Sequence, residues 1–349
     1  MPTNSLSNFI GQWLPRLESE MQDLLRYPVA EKTDADLTDF YGYMHYHMGW
    51  TNVQFQPQQL PTGKRLRPIL CLMACEEVGG DPVQALPAAC AIEILHNFSL
   101  VHDDIEDGDE TRRHRPTVWT LTGVPLAINI GDGMFALAYQ AMQNTSRRGV
   151  AAKITVDALN RFTATCIELT QGQHMDMSFE QRAQVQVGEY IRMIEGKTAS
   201  LVGATVSIGA LIGNGTERQI NAFARFGQSV GLAFQVQDDI LGIWGDPEVT
   251  GKAAGNDILR QKKSLPLLYA LSHEEIGPRL LTMWQDGLDE NQLPQVLDLL
   301  EESNTRDFAE EQVRIHHENA LSALDDALGE RARQSILYTL AESLISRSS

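Results

Sequence analysis

The sequence predicts an all-α protein, and three observations lead to that prediction. Apolar residues recur at helical spacing along nearly all of the 349 residues. No run of alternating apolar and polar residues between hairpin turns stands out. The chain also lacks a linker rich in Pro, Gly or Ser, a low-complexity block and a tandem repeat. We therefore expect one helical domain over residues 1–349, with residues 1–20 loosely ordered.

The predicted helices follow from local start and stop signals. Pro68 opens an apolar segment that closes at Gly79-Gly80, and a longer one runs from Pro82 to Asp107 and ends at Gly108. Further helical segments cover 124–146, 149–175, 178–195, 197–213 and 216–241, and more follow the irregular stretch 242–257. Residues 27–62 are the least regular part, and we expect them to wrap the surface.

Composition excludes several classes of protein. With 28 Lys and Arg against 46 Asp and Glu, the net charge is −18, which disfavours a nucleic-acid binder. The 4 cysteines show no metal-ligand spacing, which indicates buried reduced thiols. The N-terminus lacks the pattern of a signal peptide, and the weakly polar stretch Leu201–Gly213 is too short to span a bilayer. We expect a soluble, cytoplasmic protein without stable membrane insertion.

The first acidic cluster closes the long segment that begins at Pro82. Asp103, Asp104 and Asp107 follow the apolar run Ala91–Val101 in the pattern D-D-x-x-D. Residues i and i+4 of a helix share a face, so Asp103 and Asp107 repel each other, and the helix dipole disfavours negative charge there. A hard cation such as Mg²⁺ would relieve both effects. The alternative is a solvated acidic helix end.

A second acidic cluster resembles the first. Asp238 and Asp239 follow another mostly apolar run, with Gly242 and Asp246 behind them. Alone this cluster is no stronger than the first. Two such clusters in one helical chain favour a paired metal site.

Basic residues fall into short clusters beside the acidic ones. Gly63-Lys64-Arg65-Leu66-Arg67-Pro68 precedes a helix, Arg112 and Arg113 follow the first acidic cluster, and Lys252 and Lys262-Lys263 flank the second. Arginine forks and helix N-termini both suit phosphate oxygens. Solvated basic turns and local charge balance are the alternatives. Neither a Walker-type loop nor G-x-G-x-x-G is present, so the pattern indicates Mg²⁺-bound diphosphate rather than a nucleotide.

Together these segments resemble the trans-isoprenyl diphosphate synthases, or polyprenyl synthetases. The resemblance is carried in order by GKRLRP (63–68), HNFSLVHDDIEDGDETRRHRPT (96–117), GQHMD (172–176), GKTASL (196–201), FQVQDDILGIWGD (234–246) and GKAAGND…QKKSLP (251–266). It covers the chain from about residue 20 to the end. It implies a bundle of the isoprenoid synthase type around a central active-site cavity, small diphosphate substrates, Mg²⁺ in three ions once substrate is bound, and a homodimer.

The resemblance also implies a role for individual residues. Magnesium ligands would be Asp103, Asp104, Asp107, Asp238 and Asp239. Contacts to the allylic diphosphate would come from Arg112, Lys197, Lys252 and Lys262, with Thr198 and Gln235 beside the reacting carbons. Isopentenyl diphosphate would be held by Lys64, Arg67, His96 and Arg113. A lone histidine in an apolar helix is more often a packed core residue, but the motif around His96 favours the binding role.

Three departures from the family pattern stand out. Gly242 occupies the last position of the second motif, where an aspartate is usual. Gln261 stands where a glycine often precedes the lysine, and His114-Arg115 replaces Gly-Lys after the double arginine. None removes a charge that the implied mechanism needs, so we expect activity to survive.

The implied reaction is head-to-tail prenyl transfer, and the product length depends on Phe98. By resemblance, the residue five positions before the first aspartate sets the tunnel floor, and Phe98 lies about 7.5 Å from Asp103 along the helix axis. Wheel geometry alone favours the smaller Ser99. A single bulky aromatic residue without an insertion in the first motif resembles the pattern of geranylgeranyl synthases, which implies the C20 product, with C15 as the alternative. Plain core packing of Phe98 is the structural alternative.

Two rival functions belong to other classes. A class I terpene cyclase also ionises a diphosphate at an aspartate-rich helix, but it would not need Lys64, Arg67, His96 and Arg113 together. A non-catalytic subunit that regulates an active synthase would be expected to lose its acidic clusters, and both are present here. Gly242 is the feature that keeps this second rival open.

Overall fold

The computed structural model describes residues 6–26, 35–182, 184–246, 255–285 and 287–345, and its regular structure is almost entirely helical. The first helices are α1 (Leu6–Leu24), α2 (Ala35–Met48), α3 (Leu66–Glu77), α4 (Pro82–Glu106), α5 (Val118–Thr122), α6 (Val124–Gln143) and α7 (Ala152–Glu180). The remaining ones are α8 (Val187–Ile194), α9 (Ser200–Ile212), α10 (Glu217–Trp244), α11 (Asn256–Leu259), α12 (Leu265–Ser272), α13 (Ile276–Gln285), α14 (Leu293–Glu302), α15 (Thr305–Leu328) and α16 (Ile336–Ile345). The predicted all-α class is confirmed.

The described residues form two compact units. The first contains those up to Phe162, together with Thr205–Ile220 and Ser335–Leu337. The second contains Thr163–Ala204, Asn221–Gln334 and the residues from Tyr338 onward. A short antiparallel hairpin of the first unit, β1 (Thr111–Arg112) and β2 (Arg115–Pro116), joins α4 to α5. The prediction of a single domain over the whole chain stays a prediction.

Helix α4 is the central helix of the first unit. Asp81 caps it by accepting a hydrogen bond from Val83 N over 3.0 Å, Pro82 takes its first position, and Gly108 ends it with a φ of 66°. Most of its side chains are buried, and it packs against α3 and α6. A Cβ at Gly131 of α6 would lie 2.5 Å from Cδ2 of the His102 ring, so the absence of a side chain at Gly131 leaves room for that ring where the two helices meet. This packing fixes the end of α4 that carries the first aspartates.

Two regions expected to be irregular are helical instead. Residues 6–20 belong to α1, whose buried face repeats every four residues at Phe9, Trp13 and Leu17. Within 27–62, residues 35–48 form α2. Its many aromatic residues have only middling helix propensity, so tertiary packing decides: Gly133 of α6 gives room for the Phe40 ring.

The second unit is built around α10. Buried residues of α8, α10, α12 and α15 form one apolar core: Tyr190, Leu232, Val236, Leu265 and Val313. Helix α10 extends to Trp244, and α11 begins at Asn256, so the stretch expected to be irregular is partly helical. Helix α8 starts later than predicted, at Val187, where the Glu189 carboxylate accepts a hydrogen bond from Gln186 N over 3.0 Å.

Candidate active site

The first acidic cluster lies at the C-terminal end of α4, in the first unit. Asp104 is 1% exposed, and its Oδ1 accepts a hydrogen bond from Arg112 Nε over 2.5 Å. Burial raises the pKa of Asp104 to about 6, although the Arg112 charge opposes the shift. Asp103 is half-buried and Asp107 is exposed. The cluster therefore divides into two outer carboxylates and one buried carboxylate that anchors Arg112.

The hairpin after α4 places the two arginines. Arg112 pairs with Arg115 across the strands, and the turn residues Arg113 and His114 both have positive φ, 52° and 61°. Two-residue hairpin turns require such angles, which usually select Asn or Gly. The departure at His114 thus lies in a strained turn, a condition common at functional sites. The Asp109 carbonyl holds the base of the hairpin by accepting from Thr117 Oγ1.

Three of the residues assigned to isopentenyl diphosphate lie together. Arg67 Nη1 is 3.4 Å from His96 Nε2, and a Cβ at Gly63 would meet Arg113 Nη2 at 3.0 Å. Burial, followed by the charges of Arg67 and Arg113, lowers the pKa of His96 well below its usual value. The imidazole is therefore neutral at pH 7 and can donate only one N–H. Lys64, the fourth residue, is exposed on the same segment.

Arg65 has a structural task that the sequence did not indicate. It is 3% exposed and donates to Glu93 Oε1 at 2.8 Å, Glu18 Oε1 at 2.9 Å and Met48 O at 2.8 Å. The network ties α1, α2 and α4 to the basic segment that carries Lys64. Glu93 stands alone within the apolar run of α4, and because a buried carboxylate needs a cation, it could have indicated a buried basic partner.

Phe98 and Ser99 point to different partners. Phe98 is 9% exposed, and its ring centroid lies 4.9 Å from that of Phe135 and 4.7 Å from that of His102. Ser99 Oγ donates to the His96 carbonyl over 2.8 Å. The aromatic contacts continue from Phe135 to Tyr139. Phe98 of α4 therefore belongs to a row of aromatic side chains that continues along α6 through Phe135 and Tyr139.

The second acidic cluster lies near the end of α10, in the second unit. Asp238 is exposed, whereas Asp239 is fully buried. Asp239 accepts hydrogen bonds from the Tyr190 hydroxyl and, over 3.0 Å, from Leu265 N. Burial raises the pKa of Asp239 to about 6, opposed first by Lys262. As in the first cluster, one carboxylate is at the surface and one is an internal anchor.

A carboxylate from elsewhere in the chain fills the space above Gly242. A Cβ at Gly242 would lie 2.6 Å from the Cγ of Asp257, which is 6% exposed. Lys262 Nζ stands 3.6 Å from Asp257 Oδ2 and 3.9 Å from Asp239 Oδ1. The departure at Gly242 thus coincides with a buried carboxylate that the sequence reasoning missed. Only the fold brings residues 242 and 257 together, so no local pattern could have revealed the pair.

Lys197, Thr198 and Gln235 lie in the same unit and contact neighbours from the predicted segments. Lys197 Nζ is 2.5 Å from Asp176 Oδ2, in the segment GQHMD. Thr198 Oγ1 donates to Gln235 Oε1 over 3.0 Å, and Gln235 Nε2 lies 3.5 Å from Asp239 Oδ1. The side chains therefore form a chain of contacts that ends at the buried aspartate.

A π-helical turn, Glu195–Ala199, presents Lys197 and Thr198. Two glycines permit it, because a Cβ at Gly172 would lie 2.8 Å from Lys197 Cα and one at Gly196 would lie 2.7 Å from Glu168 O. Single turns of this kind are frequent at functional sites. The backbone of the turn is thus pressed directly against α7.

The lysines that flank the second acidic cluster differ in what they contact. Lys263 Nζ donates to the carbonyls of Phe179, Glu180 and Arg182, which is a structural task. Lys262 instead faces the carboxylates of Asp239 and Asp257. Lys252, assigned to the allylic diphosphate, lies outside the described residues.

The acidic residues fit magnesium that is shared with a substrate. Among the residues that the structure describes, no three His, Cys, Asp or Glu side chains already form a site for an ion. Mg²⁺ usually binds one or two carboxylates and takes its other ligands from water and substrate phosphates. Asp103, Asp107 and Asp238 supply such carboxylates, and the buried Asp104 Oδ2 has no hydrogen-bond partner in the described part of the chain. The donor set is therefore all oxygen, as a hard cation requires.

Comparison with known proteins points to one family. The sequence matches the family model described as polyprenyl synthetase over residues 52–300. A Mycobacterium tuberculosis protein named geranylgeranyl diphosphate synthase is 43% identical over 241 residues, which are 69% of this chain and 68% of that protein. A Mycobacterium bovis protein named (2E,6E)-farnesyl diphosphate synthase is 39% identical over 277 residues, 78% of this chain and 76% of that protein.

Solved structures agree with the sequence relatives. The polyprenyl synthetase from Streptomyces coelicolor A3(2) aligns with a TM-score of 0.84 and 34% identity, over 97% of this chain and 98% of that one. In the described ranges, no helix is long and apolar enough to cross a membrane. The family match alone spans both aspartate pairs and the basic residues around them.

Proposed function

The chain belongs to the polyprenyl synthetase family and is a short-chain trans-prenyl diphosphate synthase, and we propose that its product is the C20 geranylgeranyl diphosphate. Relatives named for C20 and for C15 products are similarly close, so their names do not choose between the two. The observation that carries the proposal is the packing of Phe98. Its ring lies against Phe135, about 7.5 Å along α4 from Asp103. A floor at that depth stops the chain after a fixed number of five-carbon additions.

The allylic diphosphate is bound through carboxylates and cations. Asp103, Asp107 and Asp238 would hold Mg²⁺, with three ions expected once substrate is bound, and the buried Asp104 and Asp239 would support these ligands from the interior. When bound there, Mg²⁺ would supply positive charge to neutralise the negative charge that develops on the departing diphosphate. Basic residues do the same from the protein side: Arg112, Lys197, Lys252 and Lys262.

Isopentenyl diphosphate is bound in the basic cluster of the first unit. Lys64, Arg67 and Arg113 hold the diphosphate, with the neutral His96 as a further donor. Arginine forks match phosphate oxygens in pairs. Arg113 lies in the strained turn of the hairpin, whereas its neighbour Arg112 is bonded to Asp104.

The reaction that we propose is the head-to-tail transfer implied by the family resemblance. The C1–O bond of the allylic substrate breaks, and both electrons leave with the diphosphate. The double bond of isopentenyl diphosphate forms a new bond to C1, beside Thr198 and Gln235. A proton leaves the new unit for the released diphosphate, and a double bond remains in the product. Most of the rate enhancement comes from positioning and from charge stabilisation of the leaving group.

We expect the active form to be a homodimer. Large apolar side chains are exposed on α6 and at the start of α7: Val124, Leu126, Ile128 and Val156. Leu126 is 59% and Val156 54% exposed, and such patches commonly mark interfaces. Light scattering coupled to gel filtration should give twice the chain mass, and Leu126→Glu should shift it toward one chain. A monomeric wild type would contradict the expectation.

A product-length assay tests the proposed function. Purified protein is incubated with Mg²⁺, isopentenyl diphosphate and a C5, C10 or C15 allylic starter, with chelator controls. We expect a C20 product from every starter and none with chelator. Phe98→Ala should lengthen the product, whereas the neighbouring Ser99→Ala serves as the matched control. A C15 product, or an unchanged length in Phe98→Ala, would contradict the assignment of the floor. Release of a cyclic hydrocarbon would indicate a cyclase instead.

A further inference from the structure

A buried carboxylate that the proposed reaction does not use lies beside Lys262. Asp257, in the first turn of α11, is 6% exposed, and its Oδ2 is 3.6 Å from Lys262 Nζ. A buried carboxylate is costly unless a cation is paired with it, so this pair has a physical reason to form. The Lys262 side chain is 47% exposed, so its ammonium group is open to a bound anion while Asp257 faces it from the interior.

The backbone that closes α11 brings the two residues together. Gln261 follows the helix with a φ of 52°, in the left-handed region, and its N–H donates to Ile258 O over 2.9 Å. Lys262 N donates to Asp257 O, also over 2.9 Å. These two hydrogen bonds form a Schellman motif, which usually has glycine at the left-handed position, and here the Gln261 side chain adds a bond to Trp284 O over 3.0 Å. The departure at Gln261 is thus part of a helix cap that fixes Lys262 beside Asp257.

Helix α10 leaves the space that the Asp257 carboxylate fills. A Cβ at Gly242 would lie 2.6 Å from Cγ and 3.0 Å from Oδ1 of Asp257. Gly255 N donates to Ile243 O over 3.1 Å, which ties the start of α11 to this point of α10. A side chain at position 242 would therefore have to displace the carboxylate.

The Lys262 ammonium group lies between carboxylates of two helices. Besides Asp257 of α11, Lys262 Nζ is 3.9 Å from Oδ1 of Asp239 in α10. Asp239 is fully buried and accepts hydrogen bonds from the Tyr190 hydroxyl and Leu265 N, which fix its orientation. The position of the ammonium group is therefore defined from both sides.

We propose that Asp257 is a positioning residue for prenyl transfer: its carboxylate holds the Lys262 ammonium group in place for the departing diphosphate, and Gly242 leaves the room that this carboxylate needs. The inference rests on the proposed function, which assigns Lys262 to the allylic diphosphate. It adds a residue that acts through Lys262 without touching the substrate. It also gives the departures at Gly242 and Gln261 one shared explanation.

A double-mutant cycle separates positioning from packing. Asp257→Asn keeps the shape of the side chain and removes its charge, whereas Lys262→Met removes the ammonium group. With enzyme in excess over the allylic substrate, we expect Asp257→Asn to lower the single-turnover rate about tenfold, between the effects of an exposed and of a buried ion pair. Lys262→Met should lower it about a hundredfold. The double variant should match Lys262→Met within about threefold, because Asp257 acts only through Lys262.

Two readouts besides this rate complete the test. Calorimetry with inorganic diphosphate and Mg²⁺ should show binding weakened about threefold to tenfold in Asp257→Asn, with no further loss when Lys262→Met is already present. KM for isopentenyl diphosphate should stay unchanged in every variant. Glu302→Gln, which breaks a 2.7 Å ion pair with Arg279 in the same unit, is the matched control and should stay within about twofold of wild type in each assay.

A carboxylate returned from the other helix should restore the rate. Asp257→Gly removes the carboxylate from α11, and adding Gly242→Asp supplies one from α10 to the same space. We expect the double variant to recover to within about threefold of wild type, whereas Asp257→Gly alone loses about tenfold. A role in packing alone would not be restored by a charge from a different helix.

Three results would overturn the inference while wild type remains active. They are an unchanged single-turnover rate in Asp257→Asn, losses that add in the double variant with Lys262→Met, or a rise in KM for isopentenyl diphosphate as large as the fall in rate. Thermal melting identifies any variant that fails to fold. Gly242→Ala, which keeps Asp257 but displaces its carboxylate, should show the same loss and then decides. A wild type that shows the coupling in diphosphate binding but consumes no isopentenyl diphosphate would overturn the proposed function alone.

Discussion

The two aspartate pairs share the same letters but are anchored differently. The second member of each pair, Asp104 or Asp239, is almost fully buried, and burial raises the pKa of each to about 6. Asp104 depends on a single partner, Arg112, which is carried by a two-stranded hairpin. Asp239 accepts hydrogen bonds from Tyr190 and from Leu265 N. The buried aspartate of such a pair can therefore be held by one arginine side chain or by a buried hydroxyl together with a backbone N–H.

The outer aspartates should be equally indispensable if both pairs bind metal. Asp103→Asn and Asp238→Asn should each lower kcat about a thousandfold, since each removes a charge that several kcal/mol of leaving-group stabilisation depends on. Steady-state assays at saturating Mg²⁺ measure this. Asp298→Asn, on the exposed face of α14, is the control. A loss below tenfold at one site alone would show that the two pairs are not equivalent.

The inner aspartates should differ in their contribution to stability. Asp239→Ala leaves the Tyr190 hydroxyl and Leu265 N–H buried without a partner, and we expect a loss of about 3–5 kcal/mol. Asp104→Ala should lose only about 1–2 kcal/mol, because the Arg112 side chain is 29% exposed and can reach water. Urea unfolding followed by circular dichroism gives both values. Equal losses would contradict the difference in anchoring. Tyr190→Phe measures how much of the Asp239 loss comes from the hydrogen bond of the Tyr190 hydroxyl.

Variants at Gly242 test whether the Asp257 carboxylate of α11 occupies the space that an aspartate side chain at position 242 of α10 would fill. Gly242→Ala should lose about 1–3 kcal/mol, because its Cβ overlaps the Asp257 carboxylate. The loss should shrink in the double variant Gly242→Ala, Asp257→Gly, where the space is free. Unfolding free energies of the single and double variants form the cycle. Additive losses would mean that the two positions do not compete for the same space.

The smallest effect is expected at Thr198. Thr198→Val removes the 3.0 Å hydrogen bond to Gln235 while keeping the shape of the side chain, so kcat should fall about tenfold or less. Thr170→Val, which loses only hydrogen bonds to the Cys166 and Ile167 carbonyls within α7, is the matched control. A fall as large as that of Asp238→Asn would give Thr198 a direct part in the chemistry.

Local signals explain which parts of the molecule could be predicted. Helix α4 begins at Asp81-Pro82 and ends at Gly108, and such caps are visible within a few residues of sequence. Lys197 and Gln235 were singled out by short motifs, and the structure brings both into one unit, while their roles stay a prediction.

What escaped prediction depends on contacts between distant residues. The pairing of Arg65 with Glu93 spans 28 positions, and Asp257 reaches Gly242 only because α11 folds back toward α10. Helix α2 was missed because packing of Phe40 against Gly133, rather than propensity, holds it.

The glycine contact between α7 and the π-helical turn limits how this protein can be engineered for heat tolerance. Replacing helical glycines by alanine usually stabilises a protein by about 0.5–1 kcal/mol. Gly11 in α1 and Gly188 in α8 have open space around them and suit that strategy. At Gly172 and Gly196 the added methyl group would collide with backbone atoms and push Lys197 out of line. A design procedure that treats all glycines alike would therefore raise the melting temperature at Gly11 and Gly188 but disturb the backbone around Lys197 at Gly172 and Gly196.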